Sequence, residues 1–366
     1  MVVPRQGRRE TPYQSDTGAT EDAASGRAAC SCGTDCVSPG PPIKSGGMKA
    51  IRIHEDGGPE VLRYEDAPDP KPGPDDVLIY LRAASLNHLD LWVRSGRPSV
   101  PKPRILGADG AGVDESGRRV VINPGLEHGD RITVIGEHMD GTHAEQIAVP
   151  SSNVYPIPDG ISFEEAAAFP LVFETVYRML VTRAGLEEGE WVLTWGVGSG
   201  IGSATLVIAK ALGARVIATS SSDEKLERAR ELGADAVVNH RKGDVVEAVK
   251  EATDGPGADI VVEHVGEATW RNSLQAVRPH GRIAVCGATT GPNPKAELHR
   301  VWWKQLTILG STMGTKTDFE GAYELVASGR ARPVVDSVFP LAEARAAHER
   351  MESGEQFGKI VLRIPA

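Results

Sequence analysis

Glu190-Trp191-Val192-Leu193-Thr194-Trp195 runs directly into Gly196-Val197-Gly198-Ser199-Gly200-Ile201-Gly202, and an apolar helical pattern begins at Ser203. A short β-rich run, a glycine loop and a helix in immediate succession form the local architecture that receives a dinucleotide. Glycines let the backbone approach a pyrophosphate, and free N–H groups at the helix start meet its negative charge. The glycines fall at every second position, so the strict G-x-G-x-x-G spacing is absent. The strand–loop–helix context therefore carries the assignment more than the spacing does. It nominates Gly198, Ser199, Gly200, Ile201 and Gly202 as cofactor-binding residues.

Moving outward, the pattern repeats. Strands are expected at Arg215–Thr219, Ala236–Asn239, Asp259–Glu263, Arg282–Val285 and Leu306–Leu309. Helices are expected at Ser203–Leu212, Asp223–Leu232, Asp244–Ala252 and Glu267–Val277. Strands alternating with helices of this length predict an α/β fold with a doubly wound parallel sheet. The second strand ends in Thr219-Ser220-Ser221-Ser222, with no acid at its tip. An acid there would bond a ribose 2′-OH and repel a 2′-phosphate. Hydroxyls at Ser220 and Ser221, with Lys225 one helical turn on and Arg241 after the third strand, favour NADPH. Val265 and Gly287, just beyond the ends of later strands, are assigned to the cofactor as well.

Upstream, Met48 to about Pro158 is β-rich, with short alternating runs between Pro and Gly residues; 162–185 reads as helical. Residues 1–47 carry Gly, Ser, Thr, Pro and charge without hydrophobic periodicity and are expected to be a disordered tail. Arg8-Arg9 is not followed by an apolar run, so no export signal is expected. Three of the four cysteines (Cys30, Cys32, Cys36) lie in that tail, and Cys286 stands alone; this is no disulfide framework and fits a reducing cytoplasm. The formal charge of -10 argues against nucleic acid as a partner, and no apolar run is long enough to cross a membrane.

The whole chain from Met48 onward resembles the medium-chain dehydrogenase/reductase superfamily. The matching features are Met48-Lys49-Ala50, Asn87-His88-Leu89-Asp90, Gly107 to Gly112, Gly141-Thr142-His143-Ala144-Glu145, the glycine loop, Glu231 to Asp235 and Gly358 to Leu362. The resemblance implies a GroES-like β-rich catalytic domain (48–172 and 311–366) around a Rossmann NADP-binding domain (173–310), with a small-molecule site between them. In the zinc-dependent branch, catalytic ligands stand at positions that correspond here to Asn87, Ala108 and Leu171, none able to build the usual N/S site. The proton-relaying hydroxyl falls at Leu89, and the four cysteines of a structural zinc have no counterpart near 123–138. His88, Asp109, His128, His138 and His143 show no spacing that would assemble an alternative.

No metal is therefore expected. Without a Lewis acid, alkoxide oxidation loses its charge stabiliser, whereas reduction of a quinone or an enone C=C delocalises charge onto the substrate's own carbonyl. The expected activity is an NADPH-dependent quinone or enone reductase. The alternatives are an NADP-dependent alcohol dehydrogenase with an unorthodox zinc site, and an NADPH-binding protein with little turnover. Asn87 is the candidate for orienting the nicotinamide or the substrate carbonyl, and His88 for donating a hydrogen bond or a proton. Thr175 matches a position whose hydroxyl lies beside the cofactor in the family, and Lys359 is directed at the pyrophosphate. Asp90 is read as structural, Trp92, Trp302 and Trp303 as pocket-lining, and Glu174 as a departure without an assigned role. The apolar strand Leu306–Leu309 is expected at the sheet edge, pairing with its copy in a homodimer.

Overall fold

A computed structural model describes residues 47–129 and 131–366. The tail reading and the Cys30–Cys36 cluster fall outside those residues.

The apolar runs after Glu190 form a six-stranded parallel sheet. Its order is Ala236–Asn239, Arg215–Ser220, Trp191–Thr194, Ala258–Glu263, Val277–Val285 and Thr307–Gly310. Side chains alternate between faces along each strand. Val192, Val216, Ile260 and Ala284 enter one apolar core, while Leu193, Ile217, Val261 and Ile283 enter another. Both faces are thus covered, which is why these strands read as continuous apolar runs and not as alternations. The order reverses between Trp191–Thr194 and Ala258–Glu263, and the crevice beyond the ends of those two strands is where such sheets bind ligands.

Several boundaries differ from expectation: the helix expected from Ser203 begins at Gly200, and the strand expected from Arg282 begins at Val277. The fourth helix spans Trp270–Ala276 and starts after Glu267. The buried Glu263 carboxylate accepts the N–H groups of Val265 (2.8 Å) and Gly266 (3.0 Å), holding a turn before the helix.

The main sheet of the β-rich half is antiparallel except for its last pair, Lys359–Arg363 with Val335–Pro340, which is parallel. Its path runs Val154–Pro156, Arg119–Ile122, Asp109–Asp114, Asp76–Ser85, Lys359–Arg363 and Val335–Pro340, with Gln146–Pro150 also pairing to Asp76–Ser85. The chain's last strands thus return to the first domain, while helix Lys316–Ala327 buries Phe319, Ala322 and Leu325 in the core beneath the glycine-loop helix. The register decides the site. Ser85 faces Asp109 on one side and Val361 on the other, and Leu86 N–H donates to Ile360 O at 3.0 Å. Antiparallel pairing then carries Lys359, two residues before Val361, opposite Asn87, two residues after Ser85.

Candidate active site

A cleft of about 480 Å³ runs from the glycine loop to the helix His88–Arg94. On the sheet side, Gly198, Ser199, Gly200 and Ile201 line it. Ser199 is the N-cap of helix Gly200–Ala211; its Oγ accepts from Gly202 N–H at 2.9 Å. Two glycines are demanded by contact. A Cβ at Gly202 would lie 2.4 Å from Gly196 O, and one at Gly198 would lie 2.9 Å from Gln356 O. Gly202 therefore permits close packing of the helix on the glycine loop and lies behind the cleft, while Gly198 keeps its floor open.

Ser220, Ser221 and Lys225 line the far end, together with Gly287 nearer the centre. Lys225 is half-buried, its ammonium donating to Gly354 O at 2.6 Å, and burial lowers its pKa. The first acid after the strand, Asp223, points elsewhere: Asn239 and Lys242 hold it. Arg241 is exposed outside the cleft, and His240 lines it instead. Val265 also lies outside; its carbonyl accepts from Thr290 N–H (2.8 Å) and Oγ (2.7 Å). The glycine cradle, the capped helix start and the polar strand tip fit a pyridine dinucleotide.

The opposite wall is built by the strand register described above. Asp109 is fully buried. Its Oδ2 accepts from Ser85 Oγ (3.0 Å), Asn87 Nδ2 (2.9 Å) and Lys359 Nζ (3.0 Å), and its Oδ1 from Leu171 N–H (2.9 Å). Lys359 also donates to Asn87 Oδ1, closing an Asn–Asp–Lys triangle. The Asn87 amide orientation follows: oxygen to the ammonium, nitrogen to the carboxylate. Asn87 and Lys359 both line the cleft. The Lys359 stem passes the glycine loop, with Cδ 3.3 Å from where a Gly200 Cβ would stand, but the ammonium is carried to Asn87 and Asp109.

His88 lines the cleft beside Trp92. Burial, then His264 and Lys359, lowers its pKa to about 4. Near neutrality it is therefore a neutral imidazole. Asp90 is structural as expected, accepting from Asn87 N–H (2.7 Å) and Gly107 N–H (2.9 Å). Thr175 lines the cleft, its Oγ donating to Leu171 O at 2.7 Å. Glu174 faces away. Its Oε1 accepts from Gly314 N–H at 2.8 Å, its Oε2 is buried without a partner, and desolvation raises its pKa well above the carboxylate range.

The residues do not fit a zinc ion. Asn87 is engaged by an ammonium and a carboxylate, Ala108 and Leu171 offer no donor side chain, and a cation, Lys359, already occupies the corner where ligands would converge. Among the described residues, no three His, Cys, Asp or Glu side chains come together as a metal site. Two expected pocket residues are not there: Trp302 and Trp303 are 64% and 77% exposed on helix Leu298–Trp303. His264 and Cys286 do line the cleft and were missed. His264 lies on the loop after strand Ala258–Glu263, and its Nε2 contacts Trp195 O at 3.0 Å. Their position just past the ends of strands Ala258–Glu263 and Val277–Val285 was the available signal.

Residues 73–159 match the family described as alcohol dehydrogenase GroES-like domain, and 200–328 the family described as zinc-binding dehydrogenase. A quinone oxidoreductase of Pseudomonas aeruginosa is 33% identical over 86% of this chain and 99% of its own. An alcohol dehydrogenase of Geobacillus stearothermophilus is 31% identical, over 87% and 100%. The crystal structure of an NAD-dependent alcohol dehydrogenase, 42% identical, superposes with a TM-score of 0.84 over 87% of this chain and 100% of that one. With the family's two-part fold and a cleft fitted to a pyridine nucleotide, the chain belongs to the medium-chain dehydrogenase/reductase superfamily and is an oxidoreductase.

Proposed function

We propose that this oxidoreductase uses NADPH to reduce a quinone or the activated C=C of an enone, without a metal. The observation that carries the reading is the Asn87–Asp109–Lys359 triangle standing where the zinc-dependent branch assembles its ligands. NADPH in place of NADH is supported by Ser220, Ser221 and Lys225 lining the cleft, with Asp223 turned out of it.

When bound, the reduced nicotinamide supplies a hydride. Gly198, Ser199 and Gly200 would hold the pyrophosphate against the helix start, and Lys225 would neutralise a 2′-phosphate. Thr175 and Asn87 face the same cleft and would orient the reacting partners. Leu86, Leu89, Leu171 and Val172 form an apolar wall that keeps water from the reacting atoms. Neutral His88 offers a hydrogen-bond donor without adding charge.

A second reading, alcohol oxidation, is favoured by the names of the two alcohol dehydrogenases above. Fluorescence titration with NADPH and NADH, followed by a panel of quinones, enones and alcohols, separates the readings. Tighter NADPH binding with quinone or enone turnover is expected. Alcohol-dependent reduction of the oxidised coenzyme, or tight NADPH binding with no acceptor reduced, would overturn the proposal.

We also propose a homodimer through the edge strand Thr307–Gly310. Among the described residues it has one neighbouring strand, and Ile308 is 42% exposed, a few residues after the exposed indoles of Trp302 and Trp303. An apolar, half-paired edge needs cover. Light scattering should give twice the chain mass, and Ile308→Lys should give monomers; a monomeric wild type would refute the dimer.

A further inference from the structure

We propose that the Lys359 ammonium is the group that receives the substrate's carbonyl oxygen, taking the electrophile's place that a metal holds elsewhere in the family. This rests on the reductase reading above.

An ammonium has three N–H donors. Two are used, on Asn87 Oδ1 and on Asp109 Oδ2, and no further acceptor for the third is found among the described residues. Lys359 nonetheless lines the cleft, while its side chain is only 4% exposed. A buried cation with one uncommitted donor, on a residue that lines a ligand cavity, is a ready oxyanion site. Its strength grows in surroundings from which water is excluded.

The two partners fix its position. Asp109 is itself anchored by Ser85 and by Leu171 N–H, and Asn87 is set by the strand register, so the ammonium needs no reorganisation as charge develops on an oxygen. Asp109 also balances the charge, which makes the burial of a lysine tolerable. The geometry favours acceptors that present a carbonyl oxygen conjugated to the reacting carbon. An isolated alkene has nothing to place on Lys359.

The test is binding, in the dead-end complex with NADP⁺ and cyclohex-2-en-1-one as the probe, read by calorimetry for the wild type and Lys359→Met. Because Lys359→Met leaves Asp109 buried and uncompensated, the charge-free pair Asp109→Asn/Lys359→Met is measured beside it. NADP⁺ affinity is expected to stay within about twofold, while affinity for the enone falls by at least about tenfold in both variants, the loss of one charged hydrogen bond. Unchanged enone affinity would overturn the proposal. A tenfold loss of NADP⁺ affinity with unchanged enone affinity would do so too, returning Lys359 to the pyrophosphate. A wild type that binds no enone also overturns it. If the wild type binds the enone through Lys359 yet oxidises no NADPH, the reductase reading fails while the Lys359 assignment stands.

Discussion

The two walls of the cleft are built in opposite ways. The dinucleotide wall is local: Gly196 to Gly202 follow one another in sequence, and the capping contact from Ser199 to Gly202 spans three residues. The wall of Asn87, Asp109 and Lys359 is assembled from afar: Asn87 meets Asp109 across 22 positions and Lys359 across 272. Backbone shape is carried by neighbouring residues, whereas a charge constellation is carried by sheet register. The first wall should fail through steric change, and the second through unpaired charge.

The largest effect is expected on the long-range wall. Asp109→Ala removes the carboxylate that pairs with buried Lys359 and should cost about 3–5 kcal/mol of stability. Urea unfolding checks this, and a loss below about 1 kcal/mol would mean that the triangle does not hold the wall together. On the local wall, Gly202→Ala forces a methyl to within 2.4 Å of Gly196 O. A cost of about 1–3 kcal/mol and weaker dinucleotide binding should follow; an unperturbed variant would show that the loop yields easily. Lys225→Ala should weaken NADPH binding by about tenfold and leave NADH within about twofold. An equal loss for both coenzymes would remove the 2′-phosphate role.

The smallest effect concerns Glu174, behind the junction of the walls. Its folded-state pKa is raised by burial. It therefore contributes stability present below the ordinary carboxyl range and lost as pH rises through that range toward the folded value. Glu174→Gln removes this dependence and should stabilise the protein by about 1 kcal/mol near neutrality, with the difference shrinking on acidification. A difference that does not vary with pH would place the carboxyl outside the titration.

The sequence made the local wall legible down to single residues. Ser199, Gly200, Ser220, Ser221 and Lys225 all line the cleft, because a glycine loop between strand and helix fixes its own geometry. The misses there, Arg241 and Val265, lie one position away from His240 and His264, which do line it; spacing alone does not say which way a loop residue turns. On the long-range wall, Asn87 and Thr175 were found by resemblance, but Lys359 was directed at the pyrophosphate and Asp109 was weighed only as a metal ligand. Their meeting depends on Lys359–Arg363 pairing with Asp76–Ser85, a contact no local pattern encodes. His88 was placed correctly, but its neutral state follows from burial, which appears only once the cleft is closed. Trp302 and Trp303 were read as pocket residues from their size alone and stand at the surface.

We propose that this chain reduces a conjugated acceptor without zinc. The most direct test follows NADPH oxidation by 1,4-benzoquinone and by enones in protein whose metal content has been measured in the same sample. Turnover by protein holding substoichiometric zinc, undiminished by a chelator, is expected. Stoichiometric zinc, with activity toward alcohols that disappears when the metal is removed, would contradict it.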